Sequence, residues 1–218
     1  MSQRTIEEYV ESIGALEEME SPVSTSSIAQ MLGVSLASVS EMLRRLDEKG
    51  LVEYTPYGGA SLTKEGKQHY FRLTRRHRLW EVFLNRHLGI GWEDVYHHAC
   101  SLEHATSDLV AERLAEFLGN PEVCPHGSAI PEGNLKQREL PGVSLADLAM
   151  GQTAEVVRII SEADIDFLHY LSDLDLKPGA RIKVRERASF DGTLTVEIDN
   201  STRALGAQAA ALIMVRPV

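Results

Sequence analysis

Long hydrophobic runs are absent from this chain of 218 residues. None approaches the roughly 20 apolar residues that a membrane-spanning helix needs, so no membrane partner is expected. Cysteine is scarce too: Cys100 and Cys124 allow one internal disulfide at most, and in a reducing compartment they are free thiols or metal ligands. The opening stretch MSQRTIEEYVES lacks a basic segment followed by an apolar one, which makes a cytoplasmic location the expectation. Positive charge is in the minority, with 22 Lys and Arg against 32 Asp and Glu and a formal net charge of −10. That balance argues against indiscriminate nucleic-acid binding. An H-E-x-x-H helix, a phosphate-cradling loop, an internal repeat and a low-complexity tract are missing as well.

What remains is the composition of a soluble globular protein, 43% hydrophobic and 25% charged, at a length that suggests two domains. The charge is unevenly spread. Residues 41–87 hold ten Lys and Arg against six Asp and Glu, whereas residues 1–40 hold one against six and residues 88–218 hold eleven against twenty. A local basic patch on an acidic body is the pattern of a protein that reads DNA with one part and senses something else with another.

Apolar residues Ile6, Tyr9, Val10, Ile13 and Leu16 recur at helical spacing and predict a helix over 5–18. Thr5 with Glu8 fits a capping box at its start. In MLGVSLASVSEMLRRLDEKGLV, a Gly33 turn separates two short helices, the second over 36–48 with Val39, Met42, Leu43 and Leu46 inward. Two short strands, LVEYTP and ASLTKEG, follow around Tyr57-Gly58-Gly59, completing a winged helix-turn-helix. A long helix from Lys64 is interrupted at Gly89, and another is expected from Trp92 to Leu118, with Leu102, Leu109, Val110 and Leu114 on one face. After the irregular GNPEVCPHGSAIPEG and a polar linker, the period changes to short β-type runs, VVRII, RIKVRER, LTVEID and ALIMVRP, around one helical insert at ADIDFLHYLSDL. A small SH3-like β-barrel is the economical reading.

On the reading helix Ser35, Ala37, Ser38, Ser40 and Glu41 are short side chains placed to meet base edges, Ala37 against a thymine methyl. Arg44, Arg45, Lys49, Lys64 and Lys67 are candidate phosphate contacts, and Tyr57 puts the wing against the backbone. Each of these charges reads equally well as solvated surface.

Cys100, Glu103 and His104 stand three and four residues apart, so all three can converge on one cation from a single helical turn. His77 with Glu81, and Glu8 with Glu11, have the same kind of spacing, and Cys124-Pro-His126 adds a thiol and an imidazole in an irregular segment. Taken singly, each has an ordinary reading: Glu8 as a capping residue, Glu11 as solvated, His77–Glu81 as a chance pair, Cys100 as a small core residue.

The order of a winged helix-turn-helix, RRHRLWEVFL, VYHHACSLEHATSD, CPHGSAIP and a small terminal barrel resembles the diphtheria toxin repressor and manganese transport regulator family of metal-dependent repressors. The likeness spans essentially the whole chain, and A-C-x-x-E-H with C-P-H-G-x-x-I-P is its most specific part. The resemblance implies a mainly α protein with small β elements: a DNA-binding domain over 1–74, a helical metal-binding and dimerisation domain over 75–139, a linker over 140–151, and an SH3-like, ferrous-transport-A-like domain over 152–218. It implies a primary metal site of Glu8, Cys100, Glu103 and His104, a neighbouring site using Glu11 and His77, and a second site of Glu81, Cys124 and His126. An acidic residue of the barrel would close that second site, with Asp164 aligning best and Glu162 or Asp166 as alternatives. It further implies a homodimer joined through residues 92–118, a palindromic double-stranded operator, and room for two dimers on one operator.

The chain departs from both branches of that family. The iron branch pairs Met with Cys where Glu8 and Cys100 stand and the manganese branch has acidic residues at both, so this chain mixes them; Tyr96 replaces an ancillary histidine of the iron branch, with His97 and His98 beside it. The donors suit Fe²⁺ or Mn²⁺, with Zn²⁺ and Co²⁺ as surrogates. The expected function is a repressor of metal-uptake or homeostasis genes, active when metal-loaded. A metal-dependent hydrolase and a non-DNA-binding adaptor are the competing readings, the first lacking any recognisable general-base motif.

Overall fold

The computed structural model describes residues 2–133 and 140–218. These form two compact units, one chiefly from Met1–Arg76 and Glu103–Thr106, the other chiefly from His77–Leu102, Ser107–Ile130 and the C-terminal residues.

In the first unit, α1 (Gln3–Glu17), α2 (Thr25–Leu32) and α3 (Leu36–Glu48) each begin at a serine whose hydroxyl accepts a backbone N–H: Ser2 from Thr5, Ser24 from Ser27, Ser35 from Ser38. Such caps satisfy N–H groups that the helix leaves without partners. Thr5 is therefore a first-turn residue and not the cap, which displaces the expected Thr5–Glu8 box. Gly33, at φ 66°, closes α2 in the left-handed conformation that turns the chain into α3. Strands β1 (Val52–Thr55) and β2 (Gly59–Leu62) pair antiparallel from Val52↔Leu62 to Thr55↔Gly59 and form the wing. The core is one cluster from all these elements, including Val10, Ile13, Ile28, Val39, Leu43, Leu46 and Val52. At about 1.5–3 kcal/mol per buried aliphatic side chain, this cluster is what fixes α1 to the reading helix. Gly14 lets α1 approach closely, since a Cβ there would lie 2.5 Å from the Tyr70 ring.

Tyr70 belongs to α4 (Lys64–Leu88), which ends at Gly89 with φ 68°. The single helix expected from Trp92 to Leu118 is two: α5 (Val95–Glu103) and α6 (Asp108–Phe117), with Ser107 accepting from Val110 N at 3.3 Å as the cap of the second. Apolar periodicity runs through both helices, so only the Thr106-Ser107 hydroxyl pair marks the break. The expected common face also divides: Leu114 is buried with Ala111, Ala115 and Leu118 against Leu79 and Val82, whereas Leu109, Val110 and Phe117 are exposed.

The C-terminal sheet has the order β3-β8-β4-β5-β6-β7, from β3 (Val143–Ser144), β4 (Thr153–Ile159), β5 (Arg181–Arg187), β6 (Leu194–Ile198), β7 (Ser201–Leu205) and β8 (Ile213–Pro217). Every pairing is antiparallel, and register shifts at Val156/Arg158 and Val184/Glu186 sharpen its curl. Helices α7 (Ile165–Asp173) and α8 (Ala207–Ala211) accompany it. Residues 140–151, expected as a linker, instead contribute β3 and a 3-10 turn, Leu145–Asp147, with Leu145 and Leu148 in the core. The strand at Ser201–Leu205 and helix α8 were not expected, because STRAL and AQAAA carry too few large apolar residues to show a period.

Candidate metal centre

In the second unit, α4 aims Glu81 inward while the loop after α6 supplies Cys124 and His126. That loop is pinned by Cys124 N–H to Ser128 O and Gly127 N–H to Cys124 O, both 2.9 Å. Ile159 N–H donates to His126 O at 2.9 Å, docking the loop on β4. Gly127 makes this approach possible: its φ is +85°, and a Cβ would fall 2.0 Å from Val157 O. Glu162, just beyond β4, completes a group in which one donor atom each from Glu81, Cys124, His126 and Glu162 lie within 4.8 Å of one another.

His126 Nε2 is 2.8 Å from the Trp92 carbonyl, which can only accept, so that nitrogen carries a hydrogen and Nδ1 faces the group. Nδ1 lies 3.1 Å from Glu81 Oε1 and 3.6 Å from Glu162 Oε2. Glu162 is held from outside, accepting from Ser128 Oγ at 2.6 Å and Arg78 Nη2 at 3.2 Å, while Arg78 Nη1 donates to Ala129 O at 2.5 Å. Glu81 is fully buried, and His77 Nε2 is 3.3 Å from its Oε1. These His–Glu81 contacts have ion-pair distance without hydrogen-bond alignment, and neither Glu81 oxygen has a hydrogen-bond partner among the described residues.

Burial pushes Glu81 up, but the His77 charge and the contact with His126 outweigh it and hold the carboxyl below its usual range. Burial pushes His126 down, yet Glu81 and then Glu162 raise it above its usual value. For Cys124, burial and the Glu81 and Glu162 charges act together, so the thiol is well above its ordinary value and protonated near neutrality. Desolvating a carboxylate without hydrogen bonds is expensive. A divalent cation accepting two carboxylates, an imidazole and a thiolate is the partner that fits this set.

Asp164, the residue expected to close this group, does not do so. It caps α7, its side chain accepting from Phe167 N at 3.0 Å, and Glu162 two residues earlier takes the place. Asp166 lies in the first turn of α7 and is not in the group either.

In the first unit, Glu11, Glu103 and His104 form a second grouping of donor atoms within 4.8 Å. Glu103 is buried, with Oε1 3.4 Å from His104 Nε2. Glu7, which the sequence did not single out, is buried beside them, its Oε2 2.8 Å from His104 Nδ1. Glu7 and Glu11 stand one turn apart and share a face of α1, whereas Glu8 is turned away. Its side chain is 42% exposed, pairs with Arg4 at 3.0 Å, and lines a cavity of about 410 Å³ with Ser38, Glu41 and Arg45 of α3. In the second unit, His77 and Cys100 bring donor atoms within 4.8 Å, and Tyr96 packs on the His77 ring with centroids 4.6 Å apart.

Among the expected DNA contacts, Ser35, Ala37, Ser38, Glu41, Arg44, Arg45, Tyr57, Lys64 and Lys67 are exposed, and Ser40 is half-buried. Ser35 is committed to capping α3, Arg45 pairs with Glu41, and Lys67 with Glu17 at 3.7 Å.

Three family descriptions match the chain: the N-terminal DNA binding domain of iron dependent repressors over 1–60, their metal binding and dimerisation domain over 63–132, and the FeoA domain over 143–217. The iron-dependent repressor IdeR of Mycobacterium tuberculosis is 34% identical over 203 residues, 88% of each chain. A solved manganese-dependent transcriptional repressor in complex with manganese is 35% identical, covers 98% of this chain and 100% of its own, and superposes with a TM-score of 0.89. ScaR with bound Cd²⁺ is 30% identical, covering 98% and 99%, at a TM-score of 0.86. With its reading helix, its buried donor groups and its curled terminal sheet, the chain belongs to the iron-dependent repressor family of metal-dependent transcriptional repressors.

Proposed function

We propose that this protein represses metal-uptake or homeostasis genes by binding palindromic operators as a homodimer when it holds Fe²⁺ or Mn²⁺, with two dimers able to share one operator. Residues 1–74 read DNA, 75–139 hold the ion and dimerise, and the terminal domain over 152–218 supplies Glu162 to the second site. The exposed Leu109, Val110 and Phe117 of α6 support its role in the dimer interface. Two reading helices roughly 34 Å apart match successive major grooves on one side of the duplex.

One observation carries the reading: α1, packed into the core of the DNA-reading unit, presents Glu11 to Glu103 and His104. We assign Glu103 and His104, with Glu8 and Cys100, to the activating site, Glu11 and His77 to its neighbour, with Glu11 also reaching the activating donors Glu103 and His104, and Glu81, Cys124, His126 and Glu162 to the second. A bound divalent cation supplies positive charge where several carboxylates otherwise repel one another. Glu8 must release Arg4 and leave the cavity beside α3 to join, so ligation and the setting of α1 are one event. Only such a difference in affinity between two conformations can shift their populations.

Anaerobic titration with Fe²⁺ and with Mn²⁺, following binding to DNA from the protein's own promoter region, tests this. DNA binding should appear with the ion and vanish with chelator, and Glu8→Ala and Cys100→Ala should each demand more ion. Metal dependence left intact in both variants would remove Glu8 and Cys100 from the site.

A further inference from the structure

A buried glutamate on α1 outside every donor grouping calls for an explanation. Glu7 is 8% exposed at its side chain, and no set of converging donor atoms among the described residues includes it. A carboxylate so enclosed needs partners. It has them: Oε2 is 2.8 Å from His104 Nδ1, and Oε1 accepts from Gln3 Nε2 at 3.0 Å and lies 3.9 Å from His69 Nε2.

The two nitrogens of His104 therefore face different things. Nδ1 faces Glu7, which as a carboxylate can only accept, so Nδ1 carries the hydrogen. Nε2 is turned toward Glu103, 3.4 Å away, on the side of the Glu11–Glu103–His104 grouping. An imidazole binds a cation through a nitrogen without hydrogen, and the bond made by the other nitrogen decides which one that is.

We propose that Glu7 is the positioning residue for His104: it fixes the ring's orientation and its Nδ1–H tautomer, so that Nε2 is presented to the ion. This rests on the reading that Glu11, Glu103 and His104 take a divalent cation. It gives α1 a connection to the ion separate from Glu8, since Glu7 acts through His104 and not on the ion itself. It also explains a charged residue at a position where the apolar face of an amphipathic helix would otherwise run on.

The test uses the full-length chain, with Glu7→Leu to remove the acceptor without opening a void, Glu7→Gln to restore an acceptor oxygen, and His104→Ala as reference. Imidazole ¹⁵N NMR of the ion-free protein reads the tautomer, and electron paramagnetic resonance of free Mn²⁺ reads affinity without DNA. In the parent chain, the signal that disappears in His104→Ala should be the Nδ1–H form. Glu7→Leu should shift it toward the other tautomer and weaken the His104-dependent Mn²⁺ site by about 10- to 100-fold, leaving Mn²⁺ binding that depends on Glu81 and His126 unchanged. Glu7→Gln should recover most of that loss. An unaltered tautomer and affinity in Glu7→Leu overturns the proposal. Identical Mn²⁺ binding by the parent and His104→Ala overturns the underlying cation site, and the proposal with it. Should Glu7→Leu not fold, full parental affinity with a changed tautomer in Glu7→Gln also overturns it, and matched partial losses in both readouts support it.

Discussion

Protonation at single residues sets how the second site answers to pH. His126 is raised from 6.5, so its pairing with Glu81 stabilises the ion-free fold fully below that value and is lost as pH rises through the higher folded value. Glu81 is depressed from 4.5, so its contribution is present above that value and disappears only in stronger acid. The ion-free protein should therefore hold this cluster best between 4.5 and 6.5 and soften as the solution turns alkaline. The cation binding proposed for this cluster runs the other way, because to ligate an ion the Cys124 thiol and His126 must each give up a proton. Thermal melts taken from 6.5 into alkaline solution should show a midpoint that falls with pH without ion and rises with pH when Mn²⁺ is present. Calorimetry in buffers of different ionisation enthalpy should register the released protons, and an ion-binding heat independent of buffer would contradict the scheme.

The same scale shows what could be read in advance. Helical spacing made Cys100, Glu103 and His104 legible as donors, but α5 ends at Glu103, and His104 groups with Glu11 and Glu103 while Cys100 groups with His77. Glu162 was not separable from Asp164, since the choice depends on where β4 stops and which carboxylate is consumed in capping α7. Glu7 left no trace, because a buried glutamate and a solvated one look alike in sequence until the partner, His104, is brought to it from 97 positions away.

At the scale of elements, the loop carrying Cys124 and His126 depends on its turn more than on its ligands. Gly127 adopts φ +85° and would collide with the Val157 carbonyl if it carried a Cβ. Gly127→Ala should cost at least about 1–3 kcal/mol from backbone conformation, with the collision added to that. Because His126 O also accepts from Ile159 N–H, the same change should lift the loop off β4 and separate Cys124 from Glu81. Equilibrium binding should then show the second-site ion lost while Glu11, Glu103 and His104 still bind theirs; simultaneous loss of both would mean that the loop supports more than its own site. CPHG was legible as a donor motif for its Cys and His, but the role of its glycine needed the neighbouring strand. The winged helix-turn-helix was legible because its turns carry their own signals, Gly33 and the Tyr57-Gly58-Gly59 tip. By contrast, the α5–α6 break and the pairing of β3 with β8 rest on a serine cap and on tertiary hydrogen bonds, which leave no periodicity.

For the molecule as a whole, charge is divided so that sensing and reading can be altered separately. The ten Lys and Arg of residues 41–87 sit in a chain of net charge −10, so attraction to phosphate is local and the rest of the surface opposes casual binding. Ser35, Ala37 and Ser38 are short and exposed, and on the proposed reading they make few direct base contacts, which leaves much of the affinity to phosphate contacts and DNA shape. Affinity for promoter DNA at saturating Mn²⁺ should then fall linearly with salt on logarithmic axes, by about 0.9 per phosphate neutralised. Lys64→Ala and Arg44→Ala should each weaken binding to all sequences alike and reduce that slope by about one per protomer. Glu162→Ala should leave the slope unchanged and move only the Mn²⁺ concentration at which binding begins, because Glu162 touches Arg78, Ser128 and the second-site donors. Fluorescence anisotropy over a salt series, repeated at several ion concentrations, separates the two classes. A Glu162→Ala protein with a changed slope at saturating ion would show that the terminal domain itself meets DNA.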